Sequence, residues 1–175
     1  LFSSLVVDDS SYMRTLMSAS LRAIGVGNVK TVDDGGQGID FLQLVTSDPM
    51  KAGMQNVDII FSNWQMSPVD GMMLLRWVRR HKESPNRFIP FVMVTGYADR
   101  EKVREARAMG ATEMLAKPFS VVNLGQRLLQ VVNRPRKFVH TNKYFGPDRR
   151  RNQKEIPPGK DRRKNDERNI EVVHV

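Results

Sequence analysis

Ile59-Ile60-Phe61-Ser62-Asn63-Trp64-Gln65-Met66 is the stretch whose reading decides the fold. Together with Val57 and Asp58 it forms a short apolar run, the pattern of a strand buried on both faces. The run closes on a polar side chain, Asn63. The loop Gln65-Met66-Ser67-Pro68-Val69-Asp70-Gly71 then leads into a helix from about Met72 to His81.

The same alternation repeats on either side. Leu5-Val6-Val7 ends in Asp8-Asp9, and Ser10 or Ser11 caps a helix carrying Met13, Leu16, Met17, Leu21 and Ile24 on one face. Val29 to Val32 reads as a second strand, and Gly35 to Thr46 as a second helix with Ile39, Leu42 and Val45 inward. Phe91 to Thr95 is a fourth strand. Asp99 caps a helix that Gly110 closes, Thr112 to Ala116 is a fifth strand, and Ser120 caps a last helix with Val121, Leu124, Leu128 and Val131 aligned. Strands alternating with helices predict an α/β fold, a doubly wound five-stranded parallel sheet with helices on both faces. In such sheets working groups gather at the carboxyl ends of the strands. Asp8, Asp9, Asn63, Thr95 and Lys117 all fall there. Any one alone reads as a cap or a solvent-facing charge; the coincidence of five marks a site.

Composition bounds the chemistry. The 175 residues suffice for one substantial core plus an appendage, and the absence of cysteine excludes disulfides and thiolate metal sites. No apolar run approaches the roughly 20 residues of a membrane span. Leu1 to Val7 lacks the basic start of a signal peptide, so no membrane insertion and a cytoplasmic location are expected. Charge is uneven: residues 1–133 carry 15 Lys+Arg against 13 Asp+Glu, and residues 134–175 carry 13 against 6. The excess therefore sits in a C-terminal tail that starts after Asn133, where Arg134-Pro135-Arg136 ends the last helix. Apolar residues are sparse beyond it, so a basic, largely irregular tail is predicted. Phe138, Val139, Tyr144 and Phe145 are its anchors, and Ile170, Val172 and Val173 are candidates for a terminal extended segment.

Val6-Val7-Asp8-Asp9-Ser10, Asn63-Trp64, Met66 through Asp70-Gly71, Met93-Val94-Thr95-Gly96 and Lys117-Pro118-Phe119, in that order, resemble a CheY-like receiver domain over residues 1–133. The resemblance implies the flavodoxin-like strand order 2-1-3-4-5 (the order that CheY itself illustrates). It also implies roles. The pair at Asp8 and Asp9 helps hold magnesium (Mg2+), and the position of Asn63 belongs to an aspartate that accepts a phosphoryl group. Thr95 matches the hydroxyl that binds the phosphoryl oxygen, and Lys117 the cation that neutralises it. A carboxamide is a poor nucleophile, since its nitrogen lone pair is delocalised into the carbonyl. With two carboxylates left, Mg2+ binding at Asp8 and Asp9 is expected to be weak or absent. The pocket reads as vestigial, with no catalytic residue and no enzymatic activity.

The tail writes one motif twice. Gly146-Pro147-Asp148-Arg149-Arg150 recurs as Gly159-Lys160-Asp161-Arg162-Arg163 at a spacing of 13 residues, extended by Arg151 and Lys164. An arginine fork pairs with guanine O6 and N7 or with phosphate, and an aspartate accepts from the guanine N1 and N2 edge. Two such pairs suit a ligand with two guanines and two phosphates, cyclic di-GMP. The tail resembles the arginine-rich extension of the CheY-like cyclic-di-GMP effectors, the Cle family. The resemblance makes Asp148, Arg149, Arg150, Arg151, Asp161, Arg162 and Arg163 ligand residues; Tyr144 or Phe145 either stacks on a base or pins the tail to the receiver domain. Lys143, Lys154 and Lys160 read as long-range electrostatics.

The reading that results is a non-enzymatic signalling adaptor. It binds cyclic di-GMP through a tail that the ligand orders, and it engages a protein partner such as a flagellar motor switch protein through the receiver domain. Two alternatives stand beside it: a phosphorylation-dependent response regulator carrying an Asn63 block, and a basic-tail nucleic-acid binder. The last is disfavoured because residues 134–175 show no helix-turn-helix pattern.

Overall fold

A computed structural model describes residues 2–53, 56–97, 99–149 and 171–173. Five parallel strands, β1 (Ser3–Val7), β2 (Asn28–Val32), β3 (Ile59–Asn63), β4 (Phe91–Thr95) and β5 (Glu113–Ala116), alternate with α1 (Ser11–Ala23), α2 (Gly35–Ser47), α3 (Gly71–Arg80), α4 (Arg100–Met109) and α5 (Val121–Asn133). Their order is β2-β1-β3-β4-β5, the predicted flavodoxin-like arrangement.

The near-continuous apolar strands are explained by burial on both sides. Leu5, Val7, Ile60, Phe91 and Met93 pack with Leu42, Leu74, Leu75, Val78 and Ala106 of α2, α3 and α4. The alternate residues Val6, Ile59, Phe61, Val92 and Val94 pack with Met17, Leu21, Leu124, Leu128 and Val131 of α1 and α5. Each helix begins on a side-chain cap: Ser10, Asp34, Asp70, Asp99 and Ser120 accept from backbone N–H groups two or three residues on. Gly110 closes α4 in the left-handed region at φ 107°. Two residues assigned inward turn out: Leu16 is 37% exposed and Val121 43%. Helical spacing alone does not mark where the buried stripe ends.

Within the described part of the tail, β6 (Phe138–His140), β7 (Phe145–Pro147) and β8 (Glu171–Val173) form an antiparallel sheet in the order β7-β6-β8, and β8 falls on the terminal segment expected to be extended. The cause is aromatic packing. Phe138 and Phe145 are buried and lie 5.1 and 5.4 Å from the Phe88 ring, in the loop before β4. Thr141 fixes the turn between β6 and β7 by accepting from Lys143 N and Tyr144 N through its hydroxyl.

Candidate functional site

The carboxyl ends of β1, β3 and β5 bring Asp8, Asp9, Asn63 and Lys117 together, as predicted. Lys117 Nζ lies 2.8 Å from Asp8 Oδ2 and donates to Asn63 Oδ1 at 3.2 Å. Asn63 Nδ2 donates to Asp9 Oδ1 at 3.1 Å and to the Gln65 carbonyl at 2.8 Å. Asp8 is buried, with Oδ1 accepting from Ser10 N, and its carbonyl accepts from Arg14 Nη1. Thr95 is buried on the neighbouring strand, and its hydroxyl accepts from Tyr97 N. The loop after β3 returns tightly: a Cβ on Gly71 would run into the Asn63 carbonyl, so the Asp70-Gly71 pair sets how closely α3 starts beneath the site.

The amide orientation follows from its neighbours. Lys117 offers only donors, and Asp9 in its ionised form only acceptors, so oxygen must face the lysine and nitrogen the carboxylate. An aspartate at this position would set a second negative charge against Asp9 and repel it unless a cation intervened. Asn63 closes the same cluster with Lys117 as its cation and adds no charge against Asp9. For magnesium the donor set fits poorly. Two carboxylates remain, Asp8 Oδ2 is already held by Lys117, and Asn63 turns a donor toward Asp9. Among the described residues no group of three or more His, Asp or Glu side chains could hold a metal ion.

A parallel sheet in this order carries two acids, a strand-end carboxamide and a lysine at its carboxyl edge, and residues 4–129 of the chain match the response regulator receiver domain family. The chain belongs to that family. Chemotaxis protein CheY-3 of Vibrio cholerae is 32% identical over 131 residues, covering 74% of this chain and 91% of that protein. Chemotaxis protein CheY of Pseudomonas aeruginosa is 32% identical over 130 residues, covering 74% and 95%. Among solved structures, the chemotaxis response regulator CheY4 of Vibrio cholerae is 30% identical and superposes with a TM-score of 0.61, covering 75% of this chain and 98% of that one. The receiver domain of sensor histidine kinase PA1611 from Pseudomonas aeruginosa is 27% identical at a TM-score of 0.58, covering 74% and 94%. That protein holds a magnesium ion in its active-site cleft. Receiver domains are signalling modules, and no helix among the described residues of this one is long and apolar enough to cross a membrane.

The first copy of the tail motif lies at the opposite end of the receiver domain, against the turn that precedes β5. A Cβ on Gly146 would sit 2.8 Å from Gly110 Cα and 2.6 Å from the Tyr144 hydroxyl, so β7 touches the receiver domain backbone only because this residue is glycine. Asp148 N donates to the Lys137 carbonyl at 2.8 Å. Arg149 is exposed and stacks over Tyr144, its guanidinium carbon 4.3 Å from the ring centroid. Of the predicted ligand residues the structure thus gathers Tyr144, Asp148 and Arg149. Arg150, Arg151, Asp161, Arg162 and Arg163 lie outside the described residues.

Three residues that anchor this arrangement escaped the sequence reading. Arg79 is fully buried in α3; it donates to the carbonyls of Gly110, Arg87 and Ile89 at 2.7–2.9 Å and lies 5.2 Å from the Phe138 ring centroid. Burial pushes its pKa down to about 9, so it remains a cation at neutral pH. Glu113, buried at the start of β5, pairs with Arg136 at 3.2 Å and Arg127 at 3.6 Å. No spacing rule would have found Arg79, since an arginine at the end of an amphipathic helix reads as solvated. The hairpin did leave a signal: two β-prone pairs, Phe138-Val139 and Tyr144-Phe145, flank the turn-prone Asn142.

Proposed function

We propose that this receiver domain signals without an aspartyl phosphate and takes its input through the arginine-rich tail, as a non-enzymatic adaptor for cyclic di-GMP. The observation that carries the first half is Asn63. It bonds to Lys117, Asp9 and the Gln65 carbonyl at once, so the polar groups of the pocket are paired with one another without a nucleophile or a bound metal ion. Support for the second half is the doubled Gly-X-Asp-Arg-Arg motif, whose first copy presents Arg149 at the surface beside an aromatic ring. An arginine already stacked on Tyr144 is held in place and loses less freedom when a guanine or phosphate docks. Ligand then favours the form in which the tail is seated on the receiver domain. A protein partner, such as a flagellar motor switch protein, reads this form; the resemblance to CheY-like domains supports that choice.

Calorimetry with cyclic di-GMP, GMP and single-stranded DNA tests the reading. Cyclic di-GMP binding that is lost in the Arg149→Ala, Arg162→Ala double variant supports it. Retained affinity in that variant, or equal affinity for DNA, sinks it. The phosphorylation-dependent reading has one specific point in its favour, the intact Asp8–Lys117 ion pair. Asn63→Asp, offered an acyl phosphate with magnesium, tests that alternative.

A further inference from the structure

Between the end of α3, the loop that follows it and the β6–β7 turn lies an open cleft of about 220 Å3, lined among others by Arg80, Arg87, His140, Lys143, Tyr144 and Phe145. No carboxylate among the described residues lines it. Arg80, Arg87 and Lys143 form no ion pair with any carboxylate among the described residues. A solvated basic face usually carries mobile side chains, but here Arg87 and the turn that carries Lys143 are held in place. The Arg87 guanidinium lies over the Phe145 ring, 3.5 Å from its centroid, which fixes the plane of its donor fork. The Arg87 carbonyl accepts from Arg79 Nη1 at 2.8 Å, so a buried residue holds the loop in place. Across the cleft, the Thr141 hydroxyl accepts from Lys143 N and Tyr144 N and holds the turn that carries Lys143.

The volume is below the roughly 300 Å3 at which pockets for whole small molecules begin, so one anionic group fits and an entire dinucleotide does not. Guanidinium and ammonium groups lining one cleft, with no acid beside them among the described residues, are the chemistry of a phosphate site. Tyr144, which lines the cleft, also carries Arg149 on its ring. The cleft and the first tail motif are therefore neighbours.

The geometry points to this cleft as the phosphate half of the nucleotide site: Arg80 and Arg87 of the receiver domain and Lys143 of the tail take one phosphate of the ligand whose base meets Arg149 and Tyr144. The inference rests on the nucleotide reading above and extends it, because it brings receiver domain residues into the ligand contact. A ligand held from both sides ties the β6–β7 hairpin to α3. That contact is absent when the tail is unseated, which supplies the differential affinity a population shift requires.

The test uses the full chain, with arginine side-chain Nε–Hε resonances followed by NMR during titration with inorganic pyrophosphate. Saturable shifts at Arg80 and Arg87, larger than at the surface controls Arg100 and Arg104, are expected. Shifts absent or no larger than those of the controls overturn the inference, whatever the nucleotide does. In a second arm, cyclic di-GMP affinity should fall about tenfold or more in Arg80→Ala, Arg87→Ala, as expected for lost charge-assisted hydrogen bonds. Unchanged affinity there also overturns it. Pyrophosphate binding without any response to cyclic di-GMP would instead remove the nucleotide reading and leave the cleft as a phosphate site.

Discussion

Arg136 reaches back from the tail to Glu113, its Nη2 3.2 Å from an Oε1 that belongs to an almost wholly buried side chain at the start of β5. The tail is thus bonded to the central sheet's last strand by charge as well as by aromatic packing. Removing Arg136 takes away the more buried of the two arginines paired with Glu113, since Arg127 is 40% exposed. We expect Arg136→Ala to cost about 2–3 kcal/mol in urea denaturation. Backbone amides of Val139 and Gly146 should exchange faster at the same time. A stability change below a few tenths of a kcal/mol would mean that Arg127 alone suffices.

Asn63→Asp should behave oppositely with and without magnesium. In its absence the new carboxylate loses the donor that Asn63 Nδ2 gives to Asp9 and the Gln65 carbonyl, and it places like charges side by side. The variant should therefore melt below the parent chain in chelator, and magnesium should raise its Tm while leaving the parent unmoved. Equal magnesium responses in the two proteins would show that Asp8 and Asp9 bind the ion unaided.

Arg79→Met tests the buried cation. The substitution keeps apolar volume but leaves the carbonyls of Gly110, Arg87 and Ile89 without their donor. A loss of about 3 kcal/mol or more is expected by chemical denaturation, well above the cost of an exposed arginine such as Arg76 changed in parallel. A neutral result would mean that the loops before β4 and β5 find other donors.

Tyr144 carries the pH dependence. Burial raises its pKa above the usual phenol value, with Arg149 opposing the shift. The folded form therefore stays protonated where the unfolded chain ionises. Its stabilising contribution is complete below pH 10, the unfolded value, and declines as pH rises through the folded one. Tyr144→Phe should show a shallower loss of stability as pH rises above 10. At neutral pH the same variant forgoes the hydrogen bond from the hydroxyl to the Pro147 carbonyl at 2.7 Å, a deficit of about 1 kcal/mol. An unaltered alkaline profile would assign the transition to other groups.

Strand identity and the strand-end cluster were legible along the chain because each depends on local chemistry, whereas the sheet order followed only from the resemblance to receiver domains. Buried parallel strands need continuous apolar runs such as Ile59 to Phe61, caps need Ser10, Asp99 or Ser120 beside a helix start, and a doubly wound sheet sends the residue after each strand to one edge. That is why Asp8, Asn63 and Lys117 could be placed together although they lie far apart in sequence. The replacement of a carboxylate by Asn63 was equally plain, since it is a matter of residue type.

What only the tertiary structure decided is where the tail goes and what holds it. Arg79, Glu113 and Arg136 look like solvated charges one by one. Their roles come from partners many residues away, and long-range pairing leaves no periodicity to read. The same holds for Gly146: its sequence context suggests a ligand motif, while its contact with Gly110 shows a backbone approach that no side chain could share. Local propensity determined the elements of this protein, and the burial of a few charged and aromatic groups between distant segments determined how the tail is seated on them.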